Sequence, residues 1–185
     1  MSYHFDPATG KLTPNDPAFT ALKPGSGPRH LTFHPNGRIA YVLNELACTV
    51  TVFAYNPVRG SLKEVQTIAT LPDDFKDPNT SAEVAVDRLG KHLYASNRGH
   101  NSIALFDIDA AKGTLTLVER MSTGGKTPRD FTIDPTGKFL AAANQESNNI
   151  VIFGIDEATG RLKPTGQVLD LPSPMCVRFM PLIVR

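Results

Sequence analysis

The chain has 185 residues, the length of one ordinary domain with a self-sustaining core and short for most two-domain enzymes. Lysine plus arginine number 19 against 18 aspartates and glutamates, and a net charge of +1 disfavours a role in binding nucleic acid or an anionic membrane. With 14 glycines, 15 prolines and no tryptophan the composition argues against a helical bundle, and no apolar run approaches the roughly 18–20 residues that cross a bilayer.

In chain order, the opening residues MSYHFDPATG show no basic segment followed by an apolar core, so no leader peptide is read there and the cytoplasm is the expected compartment. Residues 27–70, 80–123 and 127–170 then align with one another without internal gaps. Gly37, Gly90 and Gly137 share one column, and Asn44, Asn97 and Asn144 a second. Phe53, Phe106 and Phe153 form a third, and Gly60, Gly113 and Gly160 a fourth. Chance does not readily supply four such columns, and the spacings of 53 and 47 residues belong to repeat architectures.

Each unit predicts four strands. Leu31 and Phe33, Val84 and Val86, and Phe131 and Ile133 alternate with polar or small residues, the period of a half-buried strand. The turns HPNG, DRLG and DPTG follow, then a second strand over 38–43, 91–96 and 138–143. After a polar segment comes a β-rich third strand such as VTVFAY or IVIFGI, and NPVRG, DAAKG or DEATG turns into a fourth. This is the pattern of an all-β propeller of four-stranded antiparallel blades. Residues 2–14 align with 52–64, so 2–25 is read as a blade remnant, and 173–181 aligns with TPRDFTIDP as the first strand of a further blade. The expected single domain is therefore a partial propeller, about half of a larger one, with open apolar faces that call for self-association or a missing N-terminal half. Cys48 and Cys176 lie in apolar strand-like surroundings outside any metal-spaced cluster and are expected to be buried thiols.

In such a blade the start of the first strand lies beside the end of the second. If HPNG pairs His34 with Gly37, Arg29 comes opposite Val42 and His30 opposite Tyr41, and Asn44 and Glu45 emerge beside them. The same construction groups Glu83 with Asn97 and Arg98, and Arg129 and Asp130 with Asn144 and Gln145, all on one face near the axis. Equivalent positions differ in charge (Glu45, Arg98, Gln145; His30, Glu83, Asp130) while the hydrophobic columns barely change. A scaffold does not need that variety, but a site does. Two plainer readings stand beside it: the asparagines cap turns, and the arginines pair with Glu83 or Asp130 between blades. Convergence of several charges on one axis favours an anionic or polar ligand. The linkers 71–80 and 124–126 border the same face, the first being either a lid or specificity loop or a tolerated insertion. TGGKT at 123–127 is no phosphate loop, because Arg120 stands where its first glycine is required.

The strings GPRHLTFHPNG, YASNRGHNSIALF, GKTPRDFTIDPTGKFLAAANQ and PSPMCVRF resemble the lactonase family of seven-bladed propellers, which includes 6-phosphogluconolactonase and carboxymuconate lactonizing enzyme. The resemblance spans essentially the whole chain and corresponds to the family's C-terminal half. It implies a metal-independent, cofactor-free site at the axial cleft, built of arginine, histidine and glutamate. The implied partner is a small-molecule lactone or anionic sugar acid, with no nucleic-acid or membrane partner. By motif, GPRH supplies Arg29 and His30, VLNE supplies Glu45, SNRG supplies Asn97 and Arg98, and TPRD supplies Arg129 and Asp130. Lactone hydrolysis needs a base for water and cations for the developing oxyanion. Glu45 or His30 suits the first role and Arg98, with Arg29 or Arg129, the second; Asn97, Asp130 and Gln145 are read as substrate contacts. A muconate-type lactonizing isomerase and a non-catalytic binding platform are the alternatives.

Overall fold

The computed structural model describes residues 1–180, and the regular structure among them is entirely β. A hairpin of β1 (Tyr3–Asp6) and β2 (Lys11–Pro14) comes first. β3 (Pro28–Phe33), β4 (Ile39–Asn44), β5 (Thr49–Asn56) and β6 (Ser61–Ala69) hydrogen-bond in that order into an antiparallel sheet. β7 (Thr80–Val86), β8 (His92–Arg98), β9 (Ser102–Ile108) and β10 (Leu115–Ser122) form a second sheet. β11 (Pro128–Ile133), β12 (Phe139–Asn144), β13 (Asn149–Ile155) and β14 (Leu162–Asp170) form a third. The first strands stand side by side, β7 between β3 and β11, as the innermost strands of propeller blades do.

Burial follows the two-residue period on both faces of each sheet. Tyr41, Leu43, Val50 and Val52 point forward onto Val84, Leu93 and Phe106 of the second blade, whereas Ala40, Val42 and Phe53 point backward. In β8 Leu93 and Ala95 face the first blade and Tyr94 faces Phe131, Leu140 and Phe153 of the third. The second strands are apolar nearly throughout because each lies between two layers. The backward face of the first blade stays open, with Leu31 and Phe33 each 47% exposed.

Polar ties reinforce these cores. The Tyr41 hydroxyl donates to Gly113 O of the next blade at 3.0 Å, and Tyr94, its counterpart, donates to Gly160 O at 2.7 Å. Gly60 O, the equivalent carbonyl of the first blade, accepts from Asn15 Nδ2 at 3.2 Å. Each such bond contributes about 1 kcal/mol.

Three expectations shift. The turn after β3 is longer than read: His34 N–H donates to Ile39 O and Gly37 N–H to His34 O, both at 2.9 Å, with Gly37 at a left-handed φ of 67°. A left-handed residue at that place closes a wider loop than a two-residue hairpin. His30 therefore pairs with Leu43, not Tyr41, and Arg29 is not opposite Val42 but is the extra residue between the Pro28–Asn44 and His30–Leu43 pairs. Residues 173–180 form no strand, because no second strand runs beside them to supply a ladder; they lie against the third blade, Val177 packing on Ala141, Ala143 and Ile150. Residue 181 of that expected strand lies outside the described residues. In consequence Cys176 is exposed, while Cys48 is buried.

Candidate active site

The irregularity at Arg29 recurs at the start of every inner strand, between Ser81 and Val84 in β7 and between Pro128 and Asp130 in β11. A bulge interrupts the alternation of a strand and re-aims its side chains. Arg29 and His30 thus reach the same end of the sheet, with Arg29 Nη1 3.0 Å from His30 Nε2. The chain enters β3 and β11 through residues with positive φ, Gly27 at 63° and Thr127 at 58°. The second is unfavourable for a β-branched residue and is held by Asn101 Oδ1, which accepts from the Thr127 N–H at 2.8 Å.

Glu45, just beyond β4, is clamped by two guanidinium groups. Arg98 Nη2, at the end of β8, donates to its Oε1, and Arg29 Nε lies 3.8 Å from its Oε2. The Glu45 carbonyl accepts from Ser81 N–H at 3.0 Å, which fixes this turn to the next blade. Burial first and then the Arg98 charge push Arg29 below its ordinary pKa, and Arg129 adds to the effect. Since a guanidinium stays charged anyway, this crowding of like charge is an environment that an anion relieves.

A carboxyl pair lies next to this group. Glu83 of β7 and Asp130 of β11 are 8% and 3% exposed. Burial, helped by the hydrogen bond and charge of Asp130, pushes Glu83 up to about 7. Burial raises Asp130 too, but hydrogen bonds from Glu83, Arg178 and the Val177 amide together hold it below its ordinary value. Arg178 Nη1 donates to Asp130 Oδ2 at 2.6 Å, and its Nη2 is 3.7 Å from Glu83 Oε2. His30 Nδ1 approaches Glu83 Oε2 to 3.0 Å while the side chain stays 39% exposed. Burial and then the Arg29 charge push His30 below its ordinary value, which favours the neutral ring.

Of the residues expected at the site, Arg29, His30, Glu45, Arg98 and Asp130 come together, and Arg129 is near enough to act on the Arg29 charge. Gln145 takes the Glu45 position of the third blade, half-buried, its N–H donating to Thr127 O at 2.9 Å. Asn97 is a correction. Its fully buried Oδ1 accepts from Thr70 Oγ1 at 2.7 Å and Ser81 Oγ at 3.0 Å, and Nδ2 donates to Thr70 O at 3.2 Å. Asn97 therefore fastens its blade to the end of the preceding one, as Asn144 does through Thr123 O at 3.1 Å. The 71–80 linker is bound down: Arg120 donates to Thr70 O and Leu71 O at 2.7 Å each, and Phe75 meets His100 edge-on at 4.9 Å. Sequence reasoning missed Arg178, which aligns with Thr132 and gave no signal there.

Residues 1–179 match the family described as Lactonase, 7-bladed beta-propeller. The 6-phosphogluconolactonase of Bacillus subtilis is 45% identical over 160 residues, 86% of this chain and 46% of that protein. The Pseudomonas aeruginosa periplasmic gluconolactonase superposes with a TM-score of 0.91 at 37% identity, over 97% of this chain and 50% of that one. A protein from Lactobacillus plantarum does so with a TM-score of 0.91 at 33% identity, over 97% and 51%. The chain thus spans about half the length of these relatives. From bulged inner strands to matched residues, it belongs to the lactonase family of seven-bladed β-propellers.

Proposed function

We propose that the mouth formed by the inner-strand bulges hydrolyses a sugar lactone of the gluconolactone or 6-phosphogluconolactone class. The observation that carries this reading is the charge balance: Arg29, Arg98, Arg129 and Arg178 gather around the three carboxyls Glu45, Glu83 and Asp130, and burial pushes Glu83 up to about 7. An excess of guanidinium groups suits an oxyanion and an anionic substrate group. His30 is the preferred base over Glu45: both Glu45 oxygens face guanidinium groups, whereas the His30 side chain, although Arg29 Nη1 lies 3.0 Å from its Nε2, stays 39% exposed to water. Glu45 then holds the two arginines in place, and Gln145 supplies a polar contact across the mouth. The names borne by the relatives support the reaction class, and the activity of the whole fold is part of the proposal because this chain spans about half their length. We propose the cytoplasm as its compartment, since both cysteines are unpaired and thiols persist where the medium is reducing.

The experiment is acid release from gluconolactone and 6-phosphogluconolactone at constant pH. Arg98→Ala should lower kcat on the order of 100-fold if that guanidinium stabilises the transition state. Unchanged kinetics would remove Arg98 from the site, and no hydrolysis of either lactone by the chain would overturn the reading.

A further inference from the structure

Deepening the hydrolytic reading, on which its functional half rests, we infer that Glu83 and Asp130 share a single proton and together orient His30 as the base that activates water. The argument is a count of atoms. Glu83 Oε1 accepts from the Val84 N–H at 3.0 Å, and Asp130 Oδ2 accepts from the Val177 N–H and Arg178 Nη1 at 2.6 Å each. Left over are Glu83 Oε2 and Asp130 Oδ1, one oxygen from each carboxyl, both buried and making no aligned hydrogen bond, although His30 Nδ1 stands 3.0 Å from the first and the two carboxyls act on each other. With no proton, the pair would set two negative charges against the Arg178 guanidinium in a buried place. With two protons, the Arg178 ion pair would lose its anion. One proton satisfies both orphan oxygens and leaves one negative charge for Arg178.

The third atom at this junction is His30 Nδ1, 3.0 Å from Glu83 Oε2. A proton on Nδ1 faces Glu83 Oε2 and leaves Nε2 the acceptor, which takes the Arg29 Nη1–H at 3.0 Å until a water molecule replaces it. That tautomer is the one a base requires. Nε2 takes the proton of a water molecule as the water oxygen bonds to the lactone carbonyl carbon. It passes that proton to the ring oxygen as the ring C–O bond breaks, so His30 ends as it began and the carboxyl pair keeps its own proton throughout. Glu83 and Asp130 are positioning residues. The charged groups around them are Arg29 and His30 on β3, Glu45 beyond β4, Arg129 on β11 and Arg178 on the segment that follows the third blade.

The test is a carboxyl-carbon NMR titration of the full chain, with Glu83→Gln and Asp130→Asn for assignment. One glutamate should keep its proton until pH about 7, vanish in Glu83→Gln, and titrate roughly one to two pH units lower in Asp130→Asn. A Glu83 that titrates in the ordinary carboxylate range, or that ignores Asp130→Asn, overturns the shared proton. Ring-nitrogen spectra of the unsubstituted chain should show His30 protonated on Nδ1; protonation on Nε2 instead overturns the orienting role. Glu83→Gln should also lower kcat on the order of tenfold at constant KM, and an unchanged kcat counts against that role. Because the spectra read the proton and the tautomer without any turnover, a chain that hydrolyses no lactone defeats the hydrolytic reading while the carboxyl pair is judged independently.

Discussion

Glu83 retains in the folded protein a proton that the unfolded chain releases at an ordinary value near 4.5. Between that value and about 7 the folded state therefore binds more protons than the unfolded one, and the Glu83 contribution to stability falls as pH rises. The slope for one proton is at most about 1.4 kcal/mol per pH unit. His30 and His100, both lowered chiefly by burial, work in the opposite direction, since their contribution is lost as pH falls. Denaturant midpoints measured from pH 5 to 8 for the parent chain and Glu83→Gln isolate the glutamate: the variant should gain on the parent as pH rises, and a constant difference would contradict the retained proton. Asp130, held below its ordinary 3.8, acts only at lower pH.

At the scale of strands and turns, the placement of the charged columns was legible in the sequence, but their geometry was only partly so. Two deviations partly offset each other: the wider HPNG loop moved the register by two residues, and the bulge at Arg29 moved it back by one, so Asn44 pairs with Pro28, beside Arg29, and Glu45 follows it. The bulge lies at the very start of the inner strand, with only the Pro28–Asn44 pair before it, so the alternation of Leu31 and Phe33 beyond it shows no break to read. Asn97 was misread for a related reason, since its column marks a position where polar groups are needed but not whether they face solvent or the neighbouring blade. The last turn of the second blade tests the packing between blades. A Cβ on Gly113, at φ 70°, would come within 2.0 Å of Ile39 Cδ1 in the first blade, whereas one on Gly37, at φ 67°, meets nothing within 4 Å. Gly113→Ala should lose about 2–4 kcal/mol of stability, backbone strain plus overpacking, against about 1 kcal/mol for Gly37→Ala. Equal losses in thermal or denaturant unfolding would show that the blades do not meet there.

For the molecule as a whole, the apolar layers make it a stack in which each blade answers only to its neighbours, the condition under which stability is a sum of local terms. Arg178 gave no signal because the repeat carries Thr132 and Thr32 at its place, and it reaches the site from a segment that forms no strand. The tyrosine ties also have a direction. Tyr41 reaches from first blade to second and Tyr94 from second to third, but the third carries Ala141 at the corresponding place and passes no such bond onward. Among the described residues the middle blade is the one that both gives and receives a tyrosine bond, so unravelling should start at the trailing sheet and reach the centre last. Amide exchange should be slowest in β8 and β9, with β13 and β14 faster by on the order of tenfold or more; uniform rates across the three blades would mean that the array opens as one body, with no weak end.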